Sequence, residues 1–294
     1  MLLVEFAGFF AFILVFGYLL PAGQFYLWFH VFRSARKEHN RIQERQPTPG
    51  QIRREVLLSL STVAIFAAMA TGVFQLYKAG HTGIYRHLRD WPLWYLPISF
   101  AICLILHDSY FYWAHRLMHS PRVFKYVHLG HHRSISPTPW AIYAFQPLEA
   151  VIQFTSIALI VIFVPLHPIA LLAFLSYDTL INTAGHTGYE LVPRAIAHWP
   201  FFRLFNTVTH HDDHHTNTRV NFGAFFNVWD RWMGTFQGED SRERSIAVGR
   251  PSERAVDVRP HPAVETARRR EAVIAPDWHS RATRSSRRGR QPGF

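Results

Sequence analysis

The sequence predicts an all-α membrane protein with a histidine-rich end. Three observations carry this. Apolar residues come in blocks long enough to cross a bilayer, which needs about 20 residues. No stretch sustains the alternation of a strand. The histidines gather where the apolar blocks stop. The 294 residues are 49% hydrophobic and 15% aromatic but only 17% charged, against about 25% charged in a soluble domain.

Residues 2–32 form the first apolar block, broken by Glu5 and Pro21. It lacks a basic leader and is too long for a cleaved signal, so a retained span is expected. Residues 33–54 read as a polar loop, with Arg33, Arg36, Lys37, Arg41, Arg45, Arg53 and Arg54 and a turn marked by Pro47, Pro49 and Gly50. Residues 56–77 are a second span, 78–92 a short loop, and Leu93 to Trp113 a third span. Residues 133–147, rich in Ser, Pro and Thr, read as a loop. The stretch 148–183 is apolar but interrupted at Pro165–Leu166–His167–Pro168, so it reads as a helical hairpin of two short arms. Three segments result. Residues 1–92 hold the N-terminal spans and a basic loop, 93–240 the histidine-bearing domain with its membrane hairpin, and 241–294 a basic disordered tail.

Charge sets the orientation. The loop 33–54 is far more basic than 78–92, so it is expected in the cytoplasm. The third span then ends on the cytoplasmic side, and a hairpin returns to the side it left. Every large His cluster falls on that face, and His81 and His87 fall on the other. The formal charge of +11 is mainly a property of the tail, where 13 Arg face 6 acidic residues. That composition suits a solvated segment near anionic lipid headgroups better than a nucleic-acid site. The single cysteine, Cys103, excludes an internal disulfide and a multi-Cys zinc site.

Nineteen His remain to be explained. His115 and His119 lie at i and i+4, which puts both imidazoles on one helix face. The pattern H-x-x-H-H occurs twice, at His128, His131 and His132 and at His211, His214 and His215. With His186 this makes nine candidate ligands. One zinc or iron takes three or four protein ligands, so nine fit two metals. Asp108 is a candidate to hold a ligand imidazole in one tautomer. Asn182, four residues before His186, could hold a metal-bound water, and His210 is a candidate extra ligand. His107 is expected in the core or behind the ligands. His30, His39, His167, His198, His261 and His279 are expected at interfaces, at the hairpin turn or in the tail.

These motifs resemble the fatty acid hydroxylase/sterol desaturase superfamily. The first box is similar to Asp108-x-x-x-Tyr112-Trp113-x-His115-Arg116, closing with His119. The second is His128-x-x-His131-His132 and the isolated His sits in Gly185-His186-x-Gly188-Tyr189-Glu190. The last box is His210-His211-x-x-His214-His215, followed by Asn221-Phe222-Gly223 and Trp229-Asp230-Arg231. The resemblance covers about residues 93–236. It implies a stem of about four membrane helices under a cytoplasmic helical cap that holds two non-haem Fe ions. It further implies O2-dependent hydroxylation or desaturation of a membrane lipid, possibly a sterol, with no catalytic residue beyond the di-metal centre. Electrons would come from NAD(P)H through a separate carrier.

Two departures stand out. Gln146, in Gln146-Pro147-Leu148-Glu149, occupies a place where some members carry a His. The tail reads His261-Pro262-Ala263-Val264 rather than the His-Pro-Gly-Gly of a fused haem domain, so an external cytochrome b5- or ferredoxin-like donor is expected. Two other functions compete. A His-rich metal transporter would set its ligands near the bilayer midplane. A zinc hydrolase would leave about five of the nine His unexplained.

Overall fold

The computed structural model describes residues 1–32, 40–43, 45–193, 196, 199–238, 264 and 266. The chain is helical, and among the described residues extended pairing is limited to isolated bridges such as Arg41 with Tyr189. The expected disordered tail, 241–294, lies outside the described residues except at Val264, which is helical and buried, and Thr266. His39, His198, His261 and His279 also lie outside them.

Helix α1 (Leu2–Val31) and helix α2 (Pro49–Lys78) are both long and apolar enough to cross a membrane. Only 6% of the most apolar window of α1 is buried. Phe12, Phe16, Leu19 and Leu20 face outward, an arrangement that water penalises and lipid does not. Helical structure continues through both Glu5 and Pro21. A π-helical stretch, Ile13–Leu19, runs up to Pro21, whose ring removes a backbone donor. Glu5 pairs with Lys78 at 2.8 Å, so α1 and α2 run antiparallel. Thr48 caps α2 by accepting from the Gln51 N–H, and Pro49 fills its first position. The helix thus starts two turns earlier than its apolar pattern.

Helix α3 (Tyr95–Met118) carries the third apolar block and continues past Trp113 through the first histidine box. The apolar stretch 148–183 forms two helices joined by a short turn, helix α4 (Pro147–Phe163) and helix α5 (Pro168–Gly185). Each begins at a proline, where the missing N–H costs nothing. Cys103 of α3 packs with Ile160 of α4 and Phe174 of α5 in the main core, while Phe66 of α2 packs on Ala150 and Phe154 of α4.

The two ends of this bundle differ. At one end the loop after α2 grips the hairpin turn, with the Gly83 N–H on the Val161 carbonyl at 2.9 Å and the Leu166 N–H on the Gly83 carbonyl at 3.0 Å. His81 and His87 belong to that loop. At the other end stand the histidines. They come from the end of α3, His128 with the single turn Leu129–His132, the end of α5 and helix α6 (Val208–Thr216), and the segment leading into helix α7 (Val228–Met233) supplies none. The loop before α2 joins this end too, since the Ile42 N–H donates to the Gly188 carbonyl at 2.9 Å.

Candidate metal centre

Helical periodicity decides which way each histidine points. His115 and His119 are four apart and project from one face at the end of α3, with their Nε2 atoms 3.3 Å apart. In each H-x-x-H-H motif the outer pair is also four apart, and the middle His projects to a different side. The two motifs therefore interlock. His128 and His132 join His115, His119 and His214 in one group of five. His131 joins His186, His211 and His215 in a group of four. Within each group the ligand atoms all lie within 4.8 Å of one another. The groups are neighbours, since the rings of His132 and His215 are 4.9 Å apart.

Several Nε2 atoms meet in pairs. The separations are 3.0 Å for His115 with His128, 3.1 Å for His132 with His214, 3.1 Å for His186 with His211 and 3.2 Å for His211 with His215. Two nitrogens held at about 2.0–2.1 Å from one ion, at ordinary coordination angles, stand roughly 2.9–3.4 Å apart. The other ring nitrogens explain why these contacts suit a cation. His115 Nδ1 donates to the Phe222 carbonyl at 2.8 Å, His214 Nδ1 to the Val220 carbonyl at 2.7 Å and His186 Nδ1 to the Asn182 carbonyl at 2.7 Å. His128 Nδ1 meets the Glu149 carboxylate at 2.6 Å. A carbonyl only accepts, so the proton sits on Nδ1 and Nε2 is bare. Bare Nε2 atoms face each other across 3.0 Å at His115 and His128, which a bound cation relieves. This donor set fits metal.

Burial acts in the same direction. The imidazoles of His115, His128, His131, His132, His186, His211, His214 and His215 have a lowered proton affinity. Loss of solvent brings His115 and His186 down to about 4. For His128, His131, His132, His211 and His215, burial and then neighbouring imidazoles hold the ring well below 6.5, and burial is the first cause for His214 as well. Neutral rings are the metal-binding form. The sign for stability follows. The unfolded chain takes up protons on these rings near pH 6.5 and the metal-free folded chain does not, so stability is full above that value and falls as the pH drops from about 6.5 towards 4. Each such ring contributes up to about 1.4 kcal/mol per pH unit. Metal-free protein is expected to show a steep acid unfolding transition above pH 4, which bound metal shifts to lower pH. Circular dichroism during acid titration, with and without metal, measures this. A transition at the same pH in both states would contradict it.

The closing motif shapes the site from behind. The Asp230 carboxylate accepts from the Phe222 N–H at 2.9 Å, the Gly223 N–H at 2.8 Å and the Thr235 hydroxyl at 2.7 Å. It so fixes the carbonyls of Val220 and Phe222 on His214 and His115. Gly223 is required by close approach, because a Cβ there would stand 2.2 Å from the Phe226 carbonyl oxygen. Asn221 adopts a left-handed backbone (φ 55°), held by side-chain bonds to the His210 and Gln237 carbonyls.

Three expected auxiliary residues take other roles. Asp108 touches no ligand imidazole and is neither a helix cap nor a partner of Arg116. Its carboxylate accepts from the N–H groups of Phe225 and Phe226 at 2.8 and 3.1 Å, because a buried carboxylate two turns before His115 meets the returning loop first. Asn182 serves His186 through its backbone carbonyl, while its amide donates to Asp178. His210 belongs to neither group. Its Nδ1 accepts from the Thr207 N–H at 3.1 Å as half of a capping box that starts α6. His107 is buried, bonded to Ser156 at 2.7 Å. Gln146 ties the loop, accepting from the Gly130 N–H and donating to the Tyr126 carbonyl.

Glu149 was not anticipated. It is fully buried in the first turn of α4 and holds His128. The signal was a carboxylate opening an otherwise apolar helix, which is costly unless partnered. Carboxylates that orient a ligand imidazole are worth about 10–100-fold in metal affinity. Glu149→Ala is expected to weaken metal retention by about that factor in chelator competition, and unchanged retention would remove this role.

Comparison with known proteins agrees with this geometry. A family profile described as fatty acid hydroxylase matches residues 100–235. A Delta(7)-sterol 5(6)-desaturase of Gibberella zeae is 30% identical over 225 residues, 75% of this chain and 61% of that one. Lathosterol oxidase of Homo sapiens is 29% identical over 208 residues, 70% and 68% respectively. A Delta(7)-sterol 5(6)-desaturase of Candida glabrata is 28% identical over 247 residues, 82% and 64%. The matched stretch thus spans 61% to 68% of the length of these relatives. No solved structure matches the chain. Residues 100–235 contain all nine clustered histidines and the Asp230 brace behind them, so the region in which the chain is similar to the fatty acid hydroxylase/sterol desaturase superfamily is the one that builds the site.

Proposed function

We propose that this protein is an O2-dependent lipid oxidase, a hydroxylase or desaturase, that attacks C–H bonds of a membrane lipid with a non-haem di-iron centre. The observation that carries the reading is the pair of adjacent, buried histidine groups, five and four, at one end of a bundle that exposes apolar helix faces. His115, His119, His128, His132 and His214 would hold one iron. His131, His186, His211 and His215 would hold the other. Iron bound there would supply the redox activation of O2 that an unactivated C–H bond requires, which zinc, with no redox chemistry, does not offer.

The protein's own share is positioning and exclusion of water. Phe222 packs against His115, His119 and His214, with ring centroids 5.2–5.7 Å apart, and Phe145 packs against His131. Backbone carbonyls and Glu149 hold the rings so that little reorganisation accompanies the reaction. A stem of about four spans, including the hairpin, would be built from α1 to α5, with the histidines on the cytoplasmic face. That would be the inner membrane of a bacterium or the endoplasmic reticulum of a eukaryote. Electrons would arrive from NAD(P)H through a cytochrome b5- or ferredoxin-like carrier. The names of the matched desaturases and oxidase favour a sterol as the first substrate to test. A transporter is disfavoured because the ligands lie at helix ends rather than inside the spans.

The test is expression in a host followed by lipid mass spectrometry. A lipid that gains one oxygen or loses two hydrogens, only when the protein is present and iron is supplied, is the expected result. Unaltered lipids with a full metal complement and a competent electron donor would reject the reading.

A further inference from the structure

Beside the four-His group lies a cleft of about 130 Å3. Its walls come from Phe111 on α3, Ile181, Asn182 and Gly185 on α5, and Val208 and His211 on α6. One member of the four-His group, His211, forms part of its lining, whereas no member of the five-His group does. Gly185 packs against His211 at the cleft wall, since a Cβ there would stand 3.5 Å from His211 Cδ2.

The outer rim is apolar and exposed. Ile181 is 36% and Leu191 38% accessible, and Trp199 and Phe201 nearby in sequence are also exposed. Aromatic residues of this kind settle at the membrane–water boundary. Polar groups lie deeper. The Asn182 amide gives its Nδ2 to the Asp178 carbonyl and carboxylate at 2.9 and 2.7 Å. Its Oδ1 makes no hydrogen bond among the described residues, so one fixed acceptor remains at the cleft. Sites that enclose a whole drug-sized ligand run to about 300–1,000 Å3. This cleft is far smaller, so only a short segment of a lipid fits it while the rest stays in the bilayer.

The geometry points to an asymmetric centre. The cleft between the ends of α3 and α5 is the subsite for the reacting hydrocarbon segment of the lipid, and it presents that segment to the metal held by His131, His186, His211 and His215. The five-His metal is set back from substrate. Access is lateral, from the leaflet that borders Ile181. This inference rests on the lipid-oxidase reading for the chemistry, though not for the binding.

The experiment uses the full-length metal-loaded protein in phosphatidylcholine vesicles, with two photoprobes in parallel: a diazirine-bearing sterol and a phosphatidylcholine with a diazirine in one acyl chain. At least one probe should label peptides containing residues 181–185 or 206–211, and which probe does so tells a sterol from an acyl chain. Ala184 also lines the cleft, and Ala184→Trp should abolish that labelling and raise KM for the lipid at least tenfold while metal content stays at the wild-type level. Labels that fall only on α1 or α2, or an Ala184→Trp protein with wild-type KM, would overturn the subsite and leave the oxidase reading standing. Labelling of the cleft in a wild-type protein that alters no lipid would sink the oxidase reading and keep the subsite.

Discussion

His131→Ala is expected to lose lipid oxidation by more than about 100-fold, since even residues that merely orient a ligand are worth about 10–100-fold in metal affinity. His131 is 4% exposed, and its ring lies 4.7 Å from that of His215 and 5.3 Å from that of His186. Its removal leaves three imidazoles in the group beside the cleft. Metal content should fall from about two ions per chain towards about one, because the five-His group is intact. Membrane extraction should not change, because His131 touches neither α1 nor the exposed faces of the bundle. Elemental analysis and lipid mass spectrometry on the same preparation separate the outcomes. Unchanged turnover would remove His131 from the metal assignment. Loss of both metals would show that the two groups do not fill independently.

Asp230→Ala should cost the most stability of any single change outside the histidines. The carboxylate is fully buried and satisfies two backbone N–H groups and the Thr235 hydroxyl. A buried donor left without a partner costs about 1–3 kcal/mol, so two stranded N–H groups amount to roughly 2–6 kcal/mol. That is a large part of the 5–15 kcal/mol typical of a folded protein. The damage also reaches the metals, since Phe222 then no longer holds the His115 tautomer. A much lower unfolding midpoint in detergent, with reduced metal retention, is the expected pair of readouts. An unchanged midpoint would contradict the brace. Asp108 supports the same returning loop at Phe225 and Phe226. The double variant should therefore lose less than the sum of the singles.

Much of the candidate site was open to sequence reasoning because imidazole spacing is a strong local signal. His115 with His119, and the outer members of each H-x-x-H-H, share a face for reasons of helix geometry alone. The hairpin was equally visible, since its two prolines mark both helix starts. The auxiliary residues were not. The sequence offers Asp108, Asp212, Asp213, Asp230 and Glu149 as carboxylates near histidines, and spacing favours Asp108. Only Glu149 is bonded to a clustered imidazole among the contacts seen at Asp108, Asp230 and Glu149, although it lies 21 residues from its partner. The carbonyls of Phe222, Val220 and Asn182 bear on three more rings, and a backbone carbonyl leaves no mark in a sequence.

The opening helix shows the same division. An apolar block of about 30 residues must leave water, so a span was expected from composition. Whether Pro21 breaks it depended on a π-helical stretch that only three-dimensional packing reveals. By itself, then, the amino-acid order determined which nine histidines could gather and that they lie at one end of an apolar helical bundle. The tertiary structure decided their division into five and four, the ring nitrogen each presents, and the side on which a cleft meets them. The physical reason is range. Helical periodicity acts over four residues and can be read directly, whereas ring tautomers and the meeting of two boxes depend on contacts between residues more than 80 positions apart.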